Sequence, residues 1–255
     1  GAGNDIITVG SGVDNITAGD GNDTIFAATG LIISTDTIAG GDGTDNITLT
    51  SDATIVDLDF TLVTGIETLT TSADTINLTA TLGAAAMAAG LTTVTFVDTS
   101  AASTVTIGAG FTNALSVGLT ADGTAGDIVT ATAYTGVLTV TASDDDLQRA
   151  QTITGGTGTS DNLSITLTSG NDSITTGIST MTAVEKITTV GALGGLDFDS
   201  ADGNIAASKS MTVDATSMDD DVLNANFGAE AATGSVTILT DGTGAHIITL
   251  GLGAD

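Results

Sequence analysis

Isoleucines 7, 16 and 25 stand nine residues apart, and each begins a short alternation of apolar and polar or small side chains. Aligned as GAGNDIITV, GSGVDNITA and GDGNDTIFA, the first 27 residues place Asp5, Asp14 and Asp23 two positions ahead of those isoleucines. Period-two alternation predicts a strand of three or four residues whose middle side chain faces a core. The paired glycines before each aspartate, Gly1 and Gly3, Gly10 and Gly12, Gly19 and Gly21, predict a tight turn, because glycine adopts backbone angles that other residues avoid. The frame pauses at "ATGLIIST", resumes with Asp36 before Ile38, and returns in "GDGTDNITL", where Gly41, Gly43 and Asp45 precede Ile47. Turn plus strand, taken twice, predicts a coil of eighteen residues, and stacked coils predict an all-β, parallel solenoid. Motifs two apart then share an edge: Asp5, Asp23 and Asp45 along one, Asp14 and Asp36 along the other.

The nonapeptide section covers residues 1–49. Residues 50–155 lose the frame but keep its strand chemistry in Thr-, Val- and Ile-rich runs such as "TTVTFVDTS", "STVTIGAG" and "GVLTVTAS". These predict a Thr-rich continuation of the solenoid, with "GAAAMAAG" supplying one or two helical turns at a corner. Residues 156–255 form a second Gly/Asp section, with Asp161 and Asp172 in "GTGTSDNLSITLTSGNDSITTG". A matching phrase follows each section, "VTGIETL" with Glu67 and "MTAVEKI" with Glu185. At 242–255 the nine-residue frame restarts, with His246 where aspartate is expected and Asp255 nine residues later.

Charge changes the picture. The chain has 31 Asp and Glu against 3 Lys and Arg, a formal net charge of -28, and a positive mean hydropathy of +0.37. Only Glu67, Glu185 and Glu230 are glutamates, and aspartate belongs to turns and oxygen-rich metal loops. Two carboxylates about 4 Å apart at a surface repel by roughly 4 kcal/mol at intermediate dielectric, so stacked aspartates call for a cation. Calcium accepts six to eight carboxylate and carbonyl oxygens in flexible geometry, whereas magnesium demands a tighter octahedron. The expected ligands are Asp5, Asp14, Asp23, Asp36, Asp45, Asp161, Asp172 and Asp255 with the carbonyl-bearing glycines of their turns. Asp20 and Asp42 either add ligands or face water, and the simpler alternative for the whole set is turn capping. "SDDDL" at 143–147 and "MDDDV" at 218–222 read as solvated turns before metal sites, and Glu67 and Glu185 as strand-edge ligands or exposed side chains.

The tandem frames resemble the RTX nonapeptide G-G-x-G-x-D-x-U-x. The order of nonapeptides, Thr-rich strands and "G-x-E-T-L" phrases is similar to that of RTX-type surface-layer proteins of the Caulobacter kind. The resemblance implies a right-handed β-roll with multiple Ca2+ ions between turns, export by a one-step ABC-transporter (type I) route, and self-association outside the cell. The expected function is that of a secreted surface-layer subunit or a related filament or matrix component, with any contact to cell-surface polysaccharide made through another domain. The repeat region of a secreted RTX adhesin or biofilm protein is the alternative, and the calcium-folded tail of an exported enzyme or toxin a third. Ser160, an extra residue before Asp161, and His246 depart from the pattern.

Other chemistry has little to build on. With no cysteine and one histidine there is no disulfide, thiolate or conventional zinc set. Without a basic patch, nucleic acid is not an expected partner. Aromatic residues make up 3% of the chain, too few for the stacking platforms of a sugar cleft, and no nucleophile or phosphate-loop motif stands out, so no enzymatic activity is expected. The apolar stretch "LGAAAMAAGL" at 82–91 is too short to span a bilayer. No signal peptide is visible, and both natural ends are expected to lie beyond this sequence.

Overall fold

A computed structural model describes the chain except residues 74, 98–101, 120–125, 149–150, 169–170, 192–194, 201–204, 206–209, 219–220, 229–234, 242–243 and 250–255, together with the side chains of 171, 172, 175 and 177. The fold is a parallel β-solenoid. Each coil adds one strand to an eleven-stranded sheet that runs from Ile6–Thr8 to Ser235–Thr240. Three shorter parallel sheets succeed one another on the remaining sides. The first has three strands (Asn15–Asp20, Thr37–Asp42, Val63–Thr64), the second five (Ala53–Ile55 to Thr152–Thr154) and the third four (Asn171–Ser173 to Ile247–Thr249).

The expected eighteen-residue coil holds only at the start, where Ile6 pairs with Thr24. Thr24 pairs with Asn46, twenty-two residues on, and Lys186 with Thr212, twenty-six on. The added residues enlarge the corners while the strand register is kept. The coil at 46–67 touches three sheets in turn, through Asn46–Leu49, Ala53–Ile55 and Val63–Thr64, and so hands the chain from the first short sheet to the second.

Register places the apolar residue two after each turn aspartate on top of its counterpart. The resulting column runs from Ile25 through Ile47, Leu69, Val94, Val117, Val140, Leu163 and Ile187 to Val213, all at most 1% exposed. Ile7, in the first coil, is partly buried against the same core. Burial of branched side chains on a half-covered parallel sheet explains why Val, Ile and Thr dominate the strands.

The alanine-rich corner forms the expected short helix, Ala84–Ala89, which ends at Gly90 with φ 107°. Its first turn rests on the coil below, where the Asp57 carboxylate accepts the N–H groups of Gly83 (2.7 Å), Ala85 (3.2 Å) and Ala86 (2.9 Å). That capping role settles an aspartate that has no place in the nonapeptide frame. Another corner is filled by Tyr134, wholly buried and edge-on to Phe111 at 6.1 Å, with its hydroxyl donating to the carbonyls of Asn113 and Val137. Burial, reinforced by the nearby negative charge of Asp161, pushes its pKa up to about 12 despite an opposing backbone hydrogen bond involving Leu115.

Two outcomes follow from this packing. Leu163→Ala is expected to cost about 2–5 kcal/mol in urea denaturation at fixed calcium, whereas Thr139→Ala, facing outward on the same sheet, should stay within about 0.5 kcal/mol. Tyr134 is the single tyrosine and there is no tryptophan, so ultraviolet absorbance reports its ionisation directly. Its folded pKa of about 12 lies above the ordinary 10.0. Its contribution to stability is therefore complete below the unfolded value and is lost as pH rises through the folded one. A tyrosinate midpoint near the ordinary value in the folded protein would contradict this packing.

Candidate metal centre

The turns of the first coils are joined by main-chain donors reaching carboxylates one coil ahead. The N–H of Asp5 donates to Oδ1 of Asp23 at 2.7 Å, that of Asp23 to Oδ1 of Asp45 at 2.7 Å, and that of Asp45 to Oε2 of Glu67 at 2.8 Å. On the opposite edge the N–H of Asp14 donates to Oδ1 of Asp36 at 3.0 Å. Asparagines beside this ladder bond in the reverse sense, with the N–H of Asn22 donating to Asn4 (2.8 Å) and that of Thr44 to Asn22 (2.9 Å). Successive turns are thus clamped in both directions by neighbouring residues of one short motif.

Glycine permits this spacing. Gly3, Gly12, Gly19, Gly21, Gly41 and Gly43 all have positive φ, while Gly1 and Gly10 lie beside the carboxylates of Asp5 and Asp14. At Gly43 (φ 135°) a Cβ would sit 2.3 Å from the carbonyl oxygen of Gly21, and at Gly41 (φ 121°) 1.9 Å from that of Gly19. The stack therefore closes only when glycine lies over glycine. The same turn survives where glutamate replaces aspartate: Gly65 (φ 62°) precedes Glu67 by two residues, and Ala183 (φ 54°) precedes Glu185 by two.

The second oxygens divide the aspartates into two groups. In Asp36 and Asp161 both oxygens have main-chain donors: Asp14 and Ile33 for the first, Leu138 (2.8 Å) and Gly156 (2.6 Å) for the second. In Asp14, Asp23 and Asp45 the Oδ2 atom is buried with no hydrogen-bond partner. Leaving a buried charged oxygen unmet costs about 1–3 kcal/mol or more, so in the nonapeptide turns these are positions a cation would relieve. Asp5 is half-buried, and Asp20 and Asp42, paired in register, are exposed. The side chain of Asp172 and the whole of Asp255 lie outside the described residues.

Among the described residues no three Asp, Glu, His or Cys side chains converge as a metal cluster. An ion at these turns would therefore draw on one or two carboxylates and complete its shell with main-chain carbonyls, which calcium tolerates.

Several readings of the acidic residues change. Glu67 and Glu185 are neither free nor equivalent to exposed edge residues: each closes an aspartate ladder, Glu185 by accepting the N–H of Asp161 at 3.0 Å. The 143–147 run is not a solvated turn, because Asp144 and Asp146 are buried and accept the N–H groups of Thr168 and Ser143. In the 218–222 run Asp219 and Asp220 lie outside the described residues. His246 does take the aspartate's place, its Nδ1 accepting the N–H of Leu223 at 3.2 Å with Nε2 3.6 Å from Asp241. Asp214 is held below the usual carboxylate range by the Thr216 hydroxyl and by Lys186, whose Nζ lies 3.0 Å away.

The ladder also continues where no motif announces it. On the five-stranded sheet the N–H of Leu78 donates to Ser103 Oγ (3.0 Å), that of Ser103 to Asp127 (2.8 Å) and that of Asp127 to Gln151 (2.5 Å), all three acceptor residues being wholly buried. The available signal was positional: each directly precedes a Thr- or Ile-led strand, as Asp23 precedes Thr24.

No family model, curated protein or solved structure matches the chain. The turn geometry gives its own expectation. Gly43→Ala should disorder the first coils, seen as selective loss of amide protection around residues 20–45 in hydrogen exchange. Gly10→Ala, where a Cβ would meet only Asp14 Oδ1 at 3.8 Å, should be far milder.

Proposed function

We propose that this chain is a calcium-dependent extracellular structural protein, a surface-layer lattice subunit or related surface filament or matrix component, in which calcium drives folding. The observation that carries the reading is the set of buried, partnerless Oδ2 atoms on Asp14, Asp23 and Asp45, stacked in glycine turns. Lattice assembly rests on the resemblance of the sequence pattern and on the solenoid's repetitive surface. When bound, calcium would supply positive charge between turns that otherwise concentrate carboxylates, so its binding energy becomes folding energy. The residues do the rest: glycines let successive turns close up, and the ladder holds the Asp23 and Asp45 carboxylates by one oxygen while the other remains open. Calcium is abundant outside cells, so a chain exported unfolded would set there.

Asn in place of Asp separates the two roles of these side chains, because its amide oxygen still accepts the ladder N–H while the charge is lost. Asp23→Asn is expected to raise the calcium midpoint, followed by circular dichroism, by roughly tenfold, since calcium affinity follows ligand charge. Asp161→Asn, which turns one of its two acceptor oxygens into a donor facing an N–H, should cost local stability near 138–161 but leave the calcium midpoint of the first coils unchanged. Chelation should abolish the strand signal of the first coils. A signal indifferent to chelator, or equal midpoints for both variants, would return these aspartates to simple turn capping.

A further inference from the structure

The five-stranded sheet carries its threonines in two columns. Its strands contain "TAT" at 79–81, "TVT" at 104–106, "IVT" at 128–130 and "TIT" at 152–154, with the middle residue buried and the outer two facing away from the core. Pairing sets Thr79 beside Thr104 and Thr81 beside Thr106, and continues through Thr130 to Thr154. Thr54 extends one column at the start of the sheet. Thr180 and Thr182 extend both at its end, their hydroxyls 3.4 and 3.5 Å from those of Thr152 and Thr154. Only Ile128, also β-branched, interrupts the first column.

The strand positions of this face carry no charge in a chain of net charge -28, Asp52 standing at its margin beside Thr54 and Thr79, and no aromatic lies on it: Tyr134 and Phe60, Phe96, Phe111, Phe198 and Phe227 are buried, while Phe26 belongs to the long sheet. By contrast, the outward positions of the long sheet include Asn162, Lys186 and Asp214. Strand propensity explains threonine on both faces. It does not explain why one face keeps a single chemistry over six successive rungs.

A two-dimensional lattice of hydroxyl and methyl groups repeats at about 4.8 Å across rungs and about 6.6 Å along each strand. β-Branching restricts each χ1, so the groups are set before any contact is made. The matching partner has its own rectangular repeat on that scale and no charge, and the prism faces of ice meet both conditions. A second copy of this chain is a poor fit. Six rungs span about 24 Å and two columns about 6.6 Å, well short of the roughly 800 Å² per partner that a stable interface buries. A crystalline polysaccharide would normally be met by aromatic platforms.

We infer that the threonine array of the five-stranded sheet binds the surface of ice. The test uses the full chain, folded in calcium, in a slowly growing ice front, with the protein fraction taken into the ice measured against an unrelated protein of similar size. The protein is expected to enter the ice above that background. Thr106→Tyr, at the centre of the array, should reduce uptake to background, and Thr139→Tyr on the long sheet should leave it intact, both with unchanged circular dichroism. Should Thr106→Tyr misfold, Thr81→Tyr in the same column serves instead. Uptake of the folded wild type no greater than background overturns the inference, as does equal loss in the Thr106 and Thr139 variants, or binding to microcrystalline chitin without uptake into ice. These outcomes leave the calcium reading untouched, which depends on the chelation response.

Discussion

The interaction on which this solenoid depends is the hydrogen bond from the main chain of one turn to a side chain of the next coil. A parallel strand is bonded to its neighbours along its length, but the turns between strands leave N–H groups that a buried position cannot abandon. Here those groups are met by Asp23, Asp45 and Glu67 on one edge and by Asp36 on the other. Because the acceptor comes from the following coil, each rung is completed only when the next is in place. The same dependence makes repeat proteins cooperative between neighbours, and in this chain it is enforced by the polar groups as well as the apolar column.

Carboxylates serve this ladder at an electrostatic cost that varies along the molecule. Asp36 and Asp161 gain a second main-chain donor, so the charge is well solvated by the protein itself. Asp14, Asp23 and Asp45 do not, and their glycine turns instead let the backbones of successive coils close up beside an unmet carboxylate oxygen. In the five-stranded sheet Ser103 and Gln151 fill two of the acceptor positions without bringing any charge. The molecule therefore combines a first section that calls for a cation with a middle section whose rungs are closed largely by neutral chemistry. A graded response to chelation, starting in the first coils, is the natural consequence.

Much of this was legible in the sequence because nine-residue spacing fixes which residues stack. The frame gave parallel coils, the two aspartate edges and the inward isoleucines, and "GAAAMAAG" gave the helical corner. The spacing did not reveal that later coils grow to 26–28 residues, because corners expand without altering the strands. Nor could it separate Asp36 from Asp23. That difference lies in whether a nearby N–H, such as that of Ile33, folds back onto the second oxygen. Ser103, Asp127 and Gln151 were hidden for another reason: an acceptor in a ladder need only present an oxygen at the right height, and several residue types do so.

This tolerance also shows why the glutamates recur. At Glu67 and Glu185 the ladder meets a coil whose next turn has no aspartate, since Thr92 stands where the long sheet would place one after Glu67. The longer side chain still accepts the N–H of the preceding aspartate, at 2.8 and 3.0 Å, while its own turn keeps the left-handed residue two positions before it. At Ala183 that conformation is held without glycine, a strain of the kind that persists only where surrounding contacts determine the backbone. The repeated "G-I-E" and "A-V-E" phrases are thus read as terminators of the charged ladder: they satisfy the last aspartate and pass the coil on to apolar stacking.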